Sequence, residues 1–234
     1  IGLGQFCHAI RRNVNMLYVL ENNGVYGLTK GQFSASTDVG STARKGGAVN
    51  QQPPIDAVLT AINFGCTFVA RGFSGDKQNL VPLLKAAILH PGFAMLDVLS
   101  PCVTFNDHEG STKSYAYTRE SERTTVYADF IPSREPIETD QVRDVTTVTL
   151  HDGSRIALRK VDDDYNLFDA GAATAYIRDH QEQGEIVTGL LYMDEEAQDL
   201  HAMNNTPNTP LNALEPSKLI PGAAKLAALQ KAWR

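Results

Sequence analysis

Between Met16 and Leu99 the apolar residues switch repeatedly from strand to helix spacing, and this alternation restricts the fold more than any other feature of the chain. Met16–Glu21 is an apolar strand run. Ile55, Val58, Leu59 and Ile62 recur at helical spacing within Ile55–Phe64, behind Pro53-Pro54, and proline suits a helix start. Cys66–Ala70 reads as a short buried strand, Asp76–His90 as a second helix closed by Pro91-Gly92, and Phe93–Leu99 as the next strand. His8 to Asn13 reads as the end of a helix that precedes the first strand. Strand, helix, strand, helix, strand is the pattern of a parallel sheet with right-handed crossovers. The expected fold is α/β with a doubly wound, mostly parallel sheet.

Beyond Cys102 the pattern loosens. Ser111–Glu138 is polar, with Tyr115, Tyr117 and Tyr127, and reads as a long excursion outside the core. Val145–Leu150 and Arg155–Lys160 flank His151-Asp152-Gly153-Ser154, a hairpin signal. Ala172–Gln183 looks helical and closes at Gly184, and Ile186–Met193 is another apolar strand. The run Asn204–Pro210 alternates asparagine, threonine and proline and cannot hold regular structure. Pro221–Arg234 places Leu226, Leu229 and Trp233 at helical spacing, a face suited to docking on a partner or on its own domain. The expected organisation is a main domain over residues 1–200 and a tail with a helix over 201–234.

Composition narrows the class. With 42% apolar and 21% charged residues the 234-residue chain has the make-up of a globular protein. A net charge of −6 argues against a nucleic-acid partner. No apolar run reaches the length of a membrane span, and no signal peptide is visible. Cys7, Cys66 and Cys102 are odd in number and far apart, which is not a disulfide framework and fits a reducing, cytoplasmic setting. Cys7 and Cys66 read as buried thiols. Cys102 follows Ser100-Pro101 in a loop after a strand, where a thiolate could face a metal.

The stretch Glu21–Gln32 should sit at the carboxyl end of the first strand, where open α/β sheets bind ligands. Its amides, glycines and lysine could cradle a cation and a phosphate. A carboxamide oxygen at Asn23 and a backbone carbonyl at Val25 can face one hard cation from a single turn. Taken alone, Asn22-Asn23-Gly24 is a turn signal and Lys30 a solvated lysine. Asn106-Asp107-His108-Glu109 reads as a solvated loop and Asp162-Asp163-Asp164 as a solvated turn.

The longer string Asn23-Gly24-Val25-Tyr26-Gly27-Leu28-Thr29-Lys30-Gly31-Gln32 resembles the second half of the thiamine-diphosphate motif in β subunits of 2-oxoacid:ferredoxin oxidoreductases. Ser100-Pro101-Cys102-Val103-Thr104-Phe105-Asn106 is a second match to that family. The resemblance implies a thiamine-diphosphate-binding fold in which Asn23 and the Val25 carbonyl complete a Mg²⁺ shell and Gly27 and Leu28 contact the cofactor. It implies that Leu28 and Lys30 bear on the choice of 2-oxoacid. It also implies that Cys102 is the fourth ligand of a [4Fe-4S] cluster. The Gly-Asp-Gly half of the motif and three further cysteines are expected in a segment before Ile1. The family often has a histidine at the place of Gln5. His8, on a helix read as next to the site, is the remaining candidate for proton transfer, with a capping role as its alternative.

The function so implied is that of a β subunit of the 2-oxoglutarate type. It would carry out thiamine-dependent oxidative decarboxylation of 2-oxoglutarate with coenzyme A to succinyl-CoA and CO₂. Electrons would pass to ferredoxin, and the reaction would be reversible as reductive carboxylation. An α subunit should complete the site, in a dimer of αβ heterodimers. Broad or pyruvate specificity, a cluster-free thiamine decarboxylase and a non-catalytic assembly subunit are the alternatives.

Overall fold

The computed structural model describes residues 2–42, 47–131, 145–149, 153, 155–160, 162, 164–220 and 222–233. These fall in two compact units, Ile1–Leu200 and His201–Arg234. In the first, helix α1 (Leu3–Arg11) leads into strand β1 (Met16–Asn22), followed by a small hairpin of β2 (Val25–Tyr26) and β3 (Gln32–Phe33). Helix α2 (Ala57–Asn63), β4 (Phe68–Phe73), α3 (Lys77–Leu89) and β5 (Phe93–Leu99) come next. Then follow α4 (Tyr115–Ser121), β6 (Glu122–Ile131), β7 (Val145–Thr149), β8 (Arg155–Lys160), α5 (Ala170–Glu182) and β9 (Ile186–Met193).

The seven-stranded sheet has the order β1-β5-β4-β9-β6-β8-β7. β1, β5 and β4 run parallel, β9 is antiparallel to β4, and β6 is parallel to β9. The alternating strand–helix segment therefore forms the parallel core of an α/β sheet. β4 and β5 are buried along their whole length and so read as continuous apolar runs. Period-two alternation splits their side chains between two faces. Phe68, Ala70 and Leu96 pack with Leu83 and Ala86 of α3 on one face. Val69, Phe93 and Met95 pack with Ile10 of α1, Val58 of α2 and Ile177 of α5 on the other. Helices on both faces make the sheet doubly wound.

Local signals fix the helix starts. The side chains of Asp56, Asp76, Ser114 and Asp169 each accept a backbone N–H from the first turn of α2, α3, α4 and α5. Such caps contribute roughly 0.5–2 kcal/mol apiece. α2 begins at this cap and not at the prolines, so Ile55 lies outside it and is exposed.

The polar stretch after Ser111 departs from the expectation. It is not an excursion, because Tyr115–Ser121 is a helix and β6 lies inside the sheet between β9 and β8. Its polar side chains are satisfied across the strands. Thr125 Oγ1 donates to the Thr188 carbonyl at 3.0 Å, and Thr124 Oγ1 lies 3.1 Å from Thr188 Oγ1. Gly189 at φ +100° admits the Val126 carbonyl so closely that any Cβ would collide with it. The part of that stretch from 132 to 138 lies outside the described residues, as do His151, Asp152 and Ser154 of the turn; β7 and β8 pair antiparallel as a hairpin requires.

Asp162 is not a free turn residue either. It accepts from Tyr176 Oη at 2.6 Å and pairs with Arg123 at 2.7 Å, while Asp163 lies outside the described residues. The second unit holds a 3₁₀ turn at Leu211–Ala213 and helices α7 (Pro216–Leu219) and α8 (Gly222–Ala232), after the short α6 (Leu200–Met203). Leu226, Leu229 and Trp233 are exposed.

Candidate functional site

β1 ends at Asn22, and the chain turns through Asn23 and Gly24 into the β2–β3 hairpin. Asn23 Oδ1 accepts the Val25 N–H at 3.0 Å, which closes the turn on its own side chain. The Ser34 N–H donates to the Gly24 carbonyl at 3.2 Å, so Val25 and Phe33 form a non-hydrogen-bonded pair and the Val25 carbonyl faces away from β3. Two oxygen donors, a carboxamide and a bare carbonyl, thus belong to one tight turn. Hard cations such as Mg²⁺ take oxygen donors of this kind. The turn requires glycine at its centre. Gly24 has φ +71°, and a Cβ there would stand 2.9 Å from Lys113 Cγ and 3.1 Å from Asn106 Nδ2.

Asn106 corrects the reading of its loop as solvated. It is fully buried, and its Nδ2 donates to the Asn23 carbonyl at 2.8 Å. Its backbone N–H donates to the Cys102 carbonyl at 2.8 Å, and Ser111 Oγ donates to its own carbonyl at 3.0 Å. Its Oδ1 is buried without a partner. Only Asp107 and Glu109 of that loop face solvent. Cys102, half-buried in the loop after β5, has its Sγ 3.7 Å from where a Cβ on Gly27 would lie. The fold therefore brings together the two motifs that are distant in sequence.

Leu28 and Lys30 lie at the hairpin tip, which is closed by N–H donation from Lys30 to Gly27 and from Gly31 to Tyr26. Lys30 adopts φ +75° and is exposed, and Leu28 is wholly exposed. Neither lies in the cleft described next.

His8 departs from expectation. Phe6 of α1 packs on Tyr18 and Phe93, near the strand starts, and the chain then descends through Asn13, whose Oδ1 accepts the Phe93 N–H at 2.7 Å. His8, Arg11 and Arg12 are thus exposed toward the amino ends of the strands, the opposite edge from Asn23. The helix does flank the sheet, but its basic end points away from the cation turn.

A cleft of about 490 Å³ opens at the carboxyl ends of β1, β5 and β4. Asn22, Ser36, Asp38, Asp56, Arg71 and Lys113 supply polar groups to its wall. Arg71 of β4 is register-paired with Asp97 of β5; its Nε donates to Asp97 Oδ2 at 2.7 Å and its Nη2 to Asp56 Oδ1 at 3.0 Å. Burial disfavours the charged form of Asp56, yet Arg71 and the Leu59 N–H hold its carboxyl below the usual carboxylate range. Burial likewise opposes the Arg71 charge, and the two carboxylates more than offset it, raising its pKa. Lys113 Nζ pairs with Asp38 at 2.7 Å, and Thr112 Oγ1 donates to the same carboxylate at 2.6 Å. Reading by pattern passed over Arg71 and Asp97. The signal was there: single opposite charges inside two otherwise apolar strands must find each other if the strands are neighbours.

The donor set of the turn, two oxygens from Asn23 and Val25, fits a divalent cation, and beside it the buried carboxamide oxygen of Asn106 has no hydrogen-bond donor. It does not by itself fit an iron–sulfur cluster, which takes about four thiolates. Among the described residues no three His, Cys, Asp or Glu side chains converge as metal ligands. Cys66 is buried in the connection between α2 and β4, its thiol pushed up to about 12 by that burial, and so is inert.

An α/β sheet with an oxygen-donor turn at a strand's carboxyl end has the geometry at which such sheets bind ligands. Residues 1–98 match the family "Thiamine pyrophosphate enzyme, C-terminal TPP binding domain". The chain is similar in sequence to β subunits of 2-oxoacid:ferredoxin oxidoreductases. It is 43% identical over 138 residues to the 2-oxoacid:ferredoxin oxidoreductase subunit beta of Saccharolobus solfataricus, covering 58% of this chain and 43% of that one. It is 38% identical over 107 residues to the 2-oxoglutarate oxidoreductase subunit KorB of Mycobacterium tuberculosis, covering 46% and 29%. Among solved structures it is similar to the 2-oxoglutarate:ferredoxin oxidoreductase from Magnetococcus marinus with 2-oxoglutarate, coenzyme A and succinyl-CoA bound. The TM-score there is 0.66 and the identity 27%, over 97% of this chain and 62% of that one. The chain spans less than half the length of the curated relatives it matches.

Proposed function

We propose that the chain is the β subunit of a 2-oxoacid:ferredoxin oxidoreductase of the 2-oxoglutarate type, with its thiamine-diphosphate site in the domain of residues 1–200. The observation that carries this reading is the Asn23–Val25 turn, held by Asn106 against the Cys102 loop at the carboxyl end of β1. Thiamine diphosphate, when bound, supplies the electron sink that lets a 2-oxoacid lose CO₂. The protein's part is to hold and orient. Asn23 and the Val25 carbonyl would complete the Mg²⁺ shell that neutralises the diphosphate, and Gly27 and Leu28 would lie against the cofactor. Lys30 would present its ammonium to a substrate carboxylate, a charge-assisted bond worth about 1.5–3 kcal/mol.

Specificity for 2-oxoglutarate is supported by the names of several relatives and by the ligands of the Magnetococcus marinus enzyme. In this reading coenzyme A takes the acyl group as succinyl-CoA and ferredoxin takes the electrons. An α subunit completes the site in a dimer of αβ heterodimers in the cytoplasm. Cys102 is then one of the thiolates on a [4Fe-4S] cluster. No helix among the described residues is long and apolar enough to cross a membrane. The test is a calorimetric titration of Mg²⁺–thiamine diphosphate into the assembled αβ protein and its Asn23→Ala variant. Weaker binding in the variant is expected, and equal affinity overturns the ligand assignment.

A further inference from the structure

Asn106 is 0% exposed, yet its carboxamide is only half satisfied. Nδ2 donates to the Asn23 carbonyl at 2.8 Å, while Oδ1 has no protein donor. Burying an amide oxygen without a partner is costly, and folded proteins rarely leave one so. The orphan sits beside the turn that holds the two candidate cation ligands. Nδ2 of the same carboxamide stands 3.1 Å from where a Gly24 Cβ would project, so this side chain packs against the inside of the turn. The remaining bonds of Asn106 are all made. Its N–H goes to the Cys102 carbonyl and its own carbonyl takes Ser111 Oγ, so the residue is fixed from three directions. A rigid side chain with one unpartnered acceptor beside a hard-cation turn is poised for a donor that arrives with the ion. Mg²⁺ keeps several of its waters when bound by protein, and those waters are strong donors.

We propose that Asn106 is a positioning residue of the cation turn, with two separable tasks. Its Nδ2 clamps the Asn23 carbonyl and so orients the Asn23–Val25 turn. Its Oδ1 accepts a hydrogen bond from the hydration shell of the incoming cation. This rests on the reading of Asn23 and Val25 as Mg²⁺ ligands and adds a residue that does not itself bind the ion. Loss of a partner of this sort typically weakens metal affinity 10–100-fold.

The experiment titrates Mg²⁺–thiamine diphosphate into the assembled αβ protein by calorimetry, with melting curves of the cofactor-free protein alongside. Wild type is compared with Asn23→Ala, Asn106→Ala and Asn106→Asp. Asn106→Ala is expected to bind about 10–100-fold more weakly. Asn106→Asp loses the clamp but keeps an oxygen at the free position and adds a charge that the cation welcomes. It should therefore melt earlier when empty, yet bind the ion markedly better than Asn106→Ala. Equal affinity in Asn106→Ala and wild type, or equal weakening in the Ala and Asp variants, overturns the proposal. A fall in melting temperature with unchanged affinity does so too, since that is a purely structural role. If either variant fails to assemble, Asn106→Ser, which keeps one small hydroxyl, replaces it and must fall between wild type and Asn23→Ala. If Asn23→Ala itself binds normally, the ligand assignment fails and not merely the role of Asn106.

Discussion

The Sγ of Cys102 and the Cα of Gly27 face each other so closely that a Cβ on the glycine would meet the sulfur at 3.7 Å. Seventy-odd residues separate them along the chain, yet β1 and β5 are neighbours in register, Asn22 opposite Leu99, so the loops that follow the two strands must meet. The candidate cation turn and the Cys102 thiol thus lie side by side.

Replacing Cys102 by Ser should lower the iron content of the assembled protein and its electron transfer to ferredoxin, while thiamine diphosphate binding stays nearly intact. The thiol stands in a loop and supports no strand, so the fold survives. Metal analysis and the cluster EPR signal provide the check; full iron with an unchanged signal places the fourth ligand elsewhere.

Arg71→Leu should destabilise the domain by about 3–5 kcal/mol, because it leaves Asp97 and Asp56 as uncompensated buried charges. Urea unfolding followed by circular dichroism measures it. A loss below about 1 kcal/mol would show that water or relaxation satisfies both carboxylates.

Lys30→Ala should reduce the specificity constant for 2-oxoglutarate by roughly one to two powers of ten, the equivalent of about 1.5–3 kcal/mol. The loss for pyruvate should be smaller if the ammonium pairs with the distal carboxylate. Parallel kinetics on both substrates decide this, and equal losses would assign Lys30 to the carboxylate that the two share.

Stability should fall in acid through Asp162. Its carboxyl is held down at about 2 by the Tyr176 hydroxyl and then by Arg123, against 3.8 for an unperturbed aspartate. A depressed folded-state pKa contributes stability that is complete above the unfolded value and is lost as pH drops from about 4 toward about 2. Tyr176→Phe removes the largest cause, so the variant's unfolding free energy should depend less steeply on pH across that window. An identical slope would show that the contact does not persist in solution.

Much of the sheet was legible in the sequence. β1, α3, β5 and β9 lie where apolar period and capping residues place them, and the β7–β8 pair follows from its turn residues. β6 was not legible, because Glu122, Thr124 and Thr125 look solvent-facing until Thr188 of β9 is set beside them. Hydrogen bonds across strands hide polar residues from any reading of local pattern.

The candidate site divides in the same way. Local sequence determined the turn itself, since Asn23, Gly24 and Val25 are neighbours and their bond closes over two residues. It also marked Cys102 as a loop thiol. Only the tertiary structure decided what stands around them: Asn106 reaching Asn23 from 83 residues away, Arg71 meeting Asp97 across paired strands, and His8 carried to the far edge of the sheet. The physical reason is that short-range bonds are set by backbone geometry within one turn. The partners of a buried charge or amide are set by strand order and register, which no single segment encodes.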